Sequence, residues 1–289
     1  TGLNENYARE LMELHTLGVD NYYEQRDVYE LARVLTGWTH GWEGDPYASE
    51  YGFRFQADVH DDGSKRVLGS KVRKKDGEKE GIETIRRLAH HPGTAEYVTW
   101  KLCRYLINDE PDPGLLARVS EVFRDTKGDL PAVYRAIVLD PEFIHPRNHR
   151  AKFKSPFEFV VSALRATGAQ IHEPRGVLLG LHRMGQPLYQ CEDPTGYFDQ
   201  TEAWLDPGVL VHRWDFALKL TSGKLQGVTM HPEVLPSLIP LEPSKRLDAI
   251  QRSMLPVAMT PEDRAGFDHA QSAPYLLGLV LGSPAFQEQ

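Results

Sequence analysis

Glu5, Arg9 and Glu13 recur at four-residue steps near the start of the chain, a spacing that sets one guanidinium between two carboxylates on a helix face. Glu10 sits beside them, and Arg33 follows in the next helical segment. Carboxylates in unlike surroundings can divide general-acid and general-base roles, and nearby arginines can grip a uronate or sulfate bidentately. His60 and Asp61, in the segment H-D-D-G-S-K, would add a base or a ligand. Glu10, Glu13, His60 and Asp61 are therefore candidate catalytic residues, and Arg9, Arg33 and Trp38 candidate substrate contacts. Together with His91, these acids and His60 also suit an oxygen-rich divalent ion, although no spacing demands one, and the cofactor stays open. The opposite reading uses the same charges. In it, Glu5, Arg9, Glu13 and Arg33 form a buried network that fixes the packing of two helices and performs no chemistry.

Other clusters are equally two-sided. Trp38, Trp42, Tyr47 and Tyr51 crowd one stretch, where they would make a sugar-stacking platform or lids over a core. Residues 145–154, H-P-R-N-H-R-A-K-F-K, are basic in an acidic chain. There Arg147, His149, Arg150, Lys152 and Lys154 read as an anion pocket or as a solvated loop. Arg213, among Trp204, Trp214 and Phe216, is expected to be buried with a carboxylate partner on the first helix, and with Lys152 and Lys154 it is also a candidate substrate or anion contact. His90 and His91 mark a helix start, where capping, packing and metal binding are all open. The stretch 186–199, rich in Gly, Pro and Tyr, is long enough for a lid or binding loop. No P-loop, dinucleotide fingerprint, Cys/His zinc pattern or G-x-S-x-G occurs, which makes NTPase, dehydrogenase and α/β-hydrolase readings poor.

The elements that must position these groups are mostly helices. Asn4 as N-cap and Gly18 as stop bound the first, with Tyr7, Ala8, Leu11 and Leu14 on its apolar side and His15 turned the same way. A second helix, about Gln25 to Thr36, carries the apolar stripe Val28, Leu31, Ala32 and Leu35, and the short link predicts a packed hairpin with Arg33 facing the acidic side of the first. Residues 38–50 show no period and read as a loop. The extended pieces 51–56 and 66–68, joined through a turn at Asp62-Gly63, predict a small β-hairpin near 51–69. From Asp76 the pattern is helical almost to the end. Asp112-Pro113, Ser155-Pro156 with Glu158, and Thr260-Pro261 mark helix starts. The expected fold is mainly α, a multi-helical single domain over 1–289, with a subdivision near 145–155 as the alternative.

Composition sets the outer limits. With 289 residues the chain can bury a sizeable core, and a net charge of -8 argues against nucleic acid or anionic membrane as a general partner. No apolar run approaches a membrane span. Two cysteines, Cys103 and Cys191, leave a disulfide open without implying one. Thr1 could act as an N-terminal nucleophile if it is a processed terminus, although a trimmed or proteolysed chain is the favoured reading of this beginning.

The stretch N-E-N-Y-A-R-E-L-M-E-L-H-T-L-G followed by D-V-Y-E-L-A-R-V-L-T-G-W resembles the bacterial family called domain of unknown function 1800. The likeness is tight over residues 4–38 and continues more loosely through H-D-D-G-S-K, H-H-P-G-T-A-E and K-F-K-S-P-F-E-F-V-V-S-A-L-R-A-T-G. It implies the C-terminal portion of an exported bacterial protein, periplasmic or extracellular, with a helical region upstream. It implies no established reaction. The expected partners are a protein encoded by a neighbouring gene or a polysaccharide. Two functions follow: a helical scaffold or partner-binding protein held by a Glu/Arg network, or a hydrolase or lyase acting on a polymer through Glu10/Glu13 and His60/Asp61.

Overall fold

The computed structural model describes residues 3–42, 44–49, 52–73, 75–238, 242–255, 258–267, 269–270 and 272–289. Thr1, read as an N-terminal nucleophile, and Tyr51, read as part of an aromatic platform, lie outside the described residues. The fold is mainly α, with fourteen helices and three two-stranded antiparallel sheets among the described residues. Two compact units divide the chain: Thr1–Leu106 with Glu110–Phe143, and Ile107–Asp109 with Ile144–Gln289.

The first unit is built on α1 (Asn6–Glu13) and α2 (Gln25–Val34), which pack together. Ala8 and Met12 of α1 meet Val28, Leu31, Ala32 and Val34 of α2 in its core, joined by Leu17, Leu35, Val67, Val72 and Leu88. Each leucine, valine or methionine among them contributes about 1.5–3 kcal/mol through burial, and each alanine less. The α1 helix is shorter than the 4–18 expected. After Glu13 the chain closes on itself, with the Leu17 and Gly18 amides both donating to Met12 O, at 2.8 and 3.1 Å. Asn4 does serve the start, its Oδ1 accepting from the Asn6 amide at 3.0 Å. The inward face differs too: Met12 is fully buried, whereas Tyr7 and His15 are exposed. Glu24 and Asp27 form a reciprocal capping box at the start of α2.

Both extended pieces exist, but they do not pair with each other. Strand β1 (Trp38–His40), in a stretch read as a loop, pairs with β2 (Phe53–Phe55), while β3 (Arg66–Val67) pairs with β4 (Ser70–Lys71). The tight turn is Leu68-Gly69, not Asp62-Gly63. Both of its residues have positive φ, +49° and +71°, as a two-residue primed turn requires. Leucine pays for that conformation through other contacts. Its amide donates to Asp27 Oδ1 at 2.7 Å, and its side chain packs against the core. Helices α3 (Glu78–Ala89), α4 (Pro92–Leu106), α5 (Pro113–Asp125) and α6 (Leu130–Leu139) complete the unit, each packed on the next.

The second unit comprises α7 (Pro156–Ala166), β5 (Gln170–Ile171), α8 (Arg175–Arg183), α9 (Pro207–Thr221), β6 (Val228–Thr229), α10 (Val234–Leu238), α11 (Pro243–Met254), α12 (Pro261–Ala265), α13 (Ala273–Leu281) and α14 (Pro284–Gln287). Helix α13 is apolar nearly all round and packs on α9 and α11, with Leu276, Leu277, Val280 and Leu281 in a core shared with Phe159, Phe216 and Phe286. Its helix starts follow the expected signals. Ser155 and Glu158 close a capping box on α7, and Thr260 and Asp263 do so on α12. Among the described residues, no helix is long and apolar enough to cross a membrane.

Candidate functional site

Arg33 is the hub of the signature region, but its partners are not on α1. Its Nε and Nη2 grip Asp61 bidentately, at 2.7 and 3.2 Å, while Nη1 donates to Glu30 Oε1 at 3.0 Å and to Ser64 O at 3.2 Å. The bond to Asp61 is the main cause of the raised Arg33 pKa, and the same bond holds the Asp61 carboxyl below its ordinary value. Around this fork the backbone is tied down as well. Gly63 N donates to Asp61 Oδ1 at 2.7 Å, Arg66 N to Glu30 Oε2 at 2.9 Å, and Asp61 N to Thr36 Oγ1 at 2.8 Å. Arg33 thus anchors the 60–67 segment to α2.

Beneath it lies a buried triad. Lys65 Nζ is 2.6 Å from Glu80 Oε2, and His60 Nε2 is 3.5 Å from the same oxygen; each side chain is at most 1% exposed. His60 Nδ1 lies 2.8 Å from the Thr36 carbonyl, which can only accept, so this nitrogen carries a proton. The ring also packs edge-on against Phe55, with centroids 5.4 Å apart. Lys65, Glu80, Glu30 and Thr36 were not singled out from the sequence. Glu80 could have been, because it shares the i, i+4, i+8 face of Thr84 and buried Leu88.

The acidic string on α1 is present, yet it is not buried. Arg9 lies 3.2 Å from Glu13 and 3.9 Å from Glu5, and it is 38% exposed. Gln25 bridges back from α2, accepting from Arg9 and donating to Glu5 at 2.6 Å, and Tyr23 donates to Glu13 at 3.0 Å. The expected burial of this network is therefore corrected to a half-exposed clasp between helices. Burial belongs to the Lys65–Glu80 pair instead.

An open pocket of about 440 Å³ lies where α1, α2 and β1 meet. Asn4, Tyr7 and Ala8 from one signature segment and Leu35, Thr36, Gly37 and Trp38 from the other line it. Glu10, Glu13, His60 and Asp61 do not. Trp38 packs edge-on against Phe53 and lies flat enough on α3 that a Cβ at Gly81 would come within 2.3 Å of its ring. Trp42 and Tyr47 are separate from it: both stack on the Arg54 guanidinium, which in turn meets Asp45 Oδ2 at 3.0 Å. The aromatic residues thus serve two packing sites. His91 caps, accepting from Gly93 N at 3.0 Å, and packs against Tyr22.

In the second unit the basic loop turns inward and clamps residues 286–289. The Lys152 and Gln289 backbones exchange hydrogen bonds, and Lys154 N donates to Gln287 O. Lys152 Nζ reaches Asp109 at 2.9 Å and the Asp199 carbonyl at 3.1 Å, and Arg150 pairs with Glu288 and Asp263. Lys154 Nζ donates to Phe286 O and sits 4.3 Å from the centre of the Phe286 ring. Burial pushes its pKa down to about 8. Arg213 is fully buried between Phe153 and Phe159, its charge 4.5 and 5.4 Å from their ring centres. Its hydrogen bond goes to Gln287 Oε1 at 3.2 Å, an amide where a carboxylate on the first helix had been expected. Both cysteines are free thiols. No group of three or more His, Cys, Asp or Glu side chains among the described residues is arranged to hold a metal ion.

With the geometry in view, comparison adds one assignment. No curated protein and no solved structure matches the chain. The family described as "Protein of unknown function (DUF1800)" matches over residues 1–288, essentially the whole chain and well beyond the signature at 4–38. The chain belongs to the DUF1800 family.

Proposed function

We propose that this protein is a helical scaffold that binds a partner protein through its signature region. One observation carries the reading: the signature charges are spent on one another. Arg33 is saturated by Asp61 and Glu30, Lys65 by Glu80, and Arg9 by Glu13 and Gln25, while no carboxylate, lysine or arginine lines the pocket beside them. Such a pocket suits an apolar segment of another protein, with Tyr7 and Trp38 as aromatic contacts. The reading keeps the expected setting outside the cytoplasm, with the product of a neighbouring gene as the partner to try first. A polymer hydrolase or lyase has less support, because His60 is closed off with Glu80 and the pocket lining includes none of the four candidate catalytic residues.

The test is co-expression with the neighbouring gene's product, with affinity measured for wild type and Tyr7→Glu. Tyr7 is 53% exposed, so this variant should keep its melting temperature and lose binding by about tenfold or more. Polysaccharide cleavage by the wild type that disappears in Glu10→Gln or His60→Ala, with each variant still folded, would overturn the reading.

A further inference from the structure

Helices α8 and α9 of the second unit pack with a cleft of about 230 Å³ between them. Gly176, Leu179, Gly180 and Arg183 line it from α8. His212, Asp215, Phe216 and Lys219 line it from α9. Both sets follow the i, i+3, i+4, i+7 spacing of a single helix face, so the cleft is built from two matched stripes. The glycines are what bring its walls together. A Cβ on Gly180 would stand 2.8 Å from Phe216 Cδ2, and one on Gly176 would stand 2.3 Å from the Gln226 carbonyl oxygen.

The floor is apolar and the rim is basic. Phe216 and Leu225 are core residues, and Leu179 adds an exposed wall. Lys219 is already paired with Asp215 at 2.6 Å. Arg183, Lys224 and His212 make no side-chain hydrogen bond or ion pair among the described residues. This differs from the other basic cluster of the unit, where Arg150 and Lys152 each have carboxylate partners. In a chain of net charge -8, two unpaired cations and an unpaired imidazole around one apolar floor form a local anion-attracting site.

We propose that this cleft binds a small organic carboxylate with a compact apolar body. The head is held at the rim by the Arg183 fork at the His212 end, the body lies on Phe216 and Leu225, and Lys224 adds positive field from the Gly176 end. At about 30 Å³ per water the space equals roughly eight waters, which suits a ligand on the order of ten non-hydrogen atoms. The arginine fork matches a carboxylate in plane, and the hydrophobic floor supplies contact that a bare inorganic anion cannot use.

Calorimetric titration of the full chain with octanoate, acetate, 1-octanol and inorganic phosphate tests this at pH 7. Octanoate should bind saturably, with acetate, phosphate and 1-octanol each at least about tenfold weaker, since head and body act together. Arg183→Gln and Lys224→Gln lie on the exposed rim. Arg183→Gln should weaken octanoate by about fivefold and Lys224→Gln by about twofold, each leaving the melting temperature unchanged. Octanoate that does not saturate, or that binds the variants as well as the wild type, would overturn the proposal. Phosphate as tight as octanoate would refute the apolar half of the site, and 1-octanol as tight would refute the charged half.

Discussion

The two units differ in how they hold buried cations, although Lys152 of the second is matched by Asp109 just as the cations of the first are matched. In the first, Lys65 and Arg33 are matched by carboxylates, Glu80 for one and Asp61 with Glu30 for the other. In the second, Lys154 rests on a carbonyl and an aromatic ring, and Arg213 on an amide and two rings. Glu158 is close enough to act on both electrically, but its Oε2 is held by the Ser155 amide in the capping box. The consequence is visible in proton affinity. Bonding to Asp61 raises the Arg33 pKa, whereas burial lowers Lys154 to about 8 and Arg213 to about 10. Matched pairs fix a geometry at little net gain, while an unmatched cation stays under electrostatic stress that folding must offset.

Removing one member of a matched pair should therefore do the most damage. Glu80→Gln strands the Lys65 ammonium in the core, and urea denaturation should show a loss of about 3–5 kcal/mol. Adding Lys65→Met should recover most of it. If Glu80→Gln costs under about 1 kcal/mol, the pair is not the buried keystone described here.

The pH dependence should separate the units next. Lys154 has a folded pKa of about 8 against an ordinary value of 10.5, so between those values the unfolded chain binds more protons. Stability from this group is absent below about pH 8 and grows as pH rises to about 10.5, by on the order of 3 kcal/mol. Comparing wild type with Lys154→Met across that range isolates it. Asp61 works in the other direction. Its folded pKa is lowered, so its contribution is present above the ordinary carboxyl range and is lost as pH falls through the folded value.

Smaller effects complete the contrast. At pH 7, Lys154→Met should destabilise by no more than about 1 kcal/mol, since it removes a desolvated charge and strands no carboxylate. Arg9→Ala, on the half-exposed clasp, should cost about 0.5 kcal/mol or less in the same assay. A loss near that of Glu80→Gln would return the α1 string to the structural centre.

Helices were legible wherever local chemistry decides. Ser155-Pro156 with Glu158, Asp112-Pro113 and Thr260-Pro261 begin helices because their side chains satisfy the first free amides, a matter of three or four residues. Pairing across distance was not legible. The strand partners of Phe53–Phe55 and Arg66–Val67 were exchanged because a leucine at positive φ is a poor turn residue in isolation, and Asp27 and the core compensate it from afar. The candidate site was legible in its residue types and less so in its connections. Arg33 and Asp61 were both named, but nothing local shows that a guanidinium joins them across 28 positions. Glu80 was hidden in a helix crowded with charge. Lys154 and Arg213 looked available to an anion because their partners, a carbonyl, an amide and aromatic faces, carry no charge to signal them.

The central claim is that the signature charges hold the fold together, and a double-mutant cycle on Arg33 and Asp61 tests it most directly. Urea unfolding of wild type, Arg33→Gln, Asp61→Asn and the double variant at pH 7 gives the coupling between the two side chains. A bidentate, partly buried pair predicts coupling of about 1.5–3 kcal/mol, with each single variant clearly destabilised. Coupling near zero, with both single variants as stable as the wild type, would contradict the account and free these residues for another role.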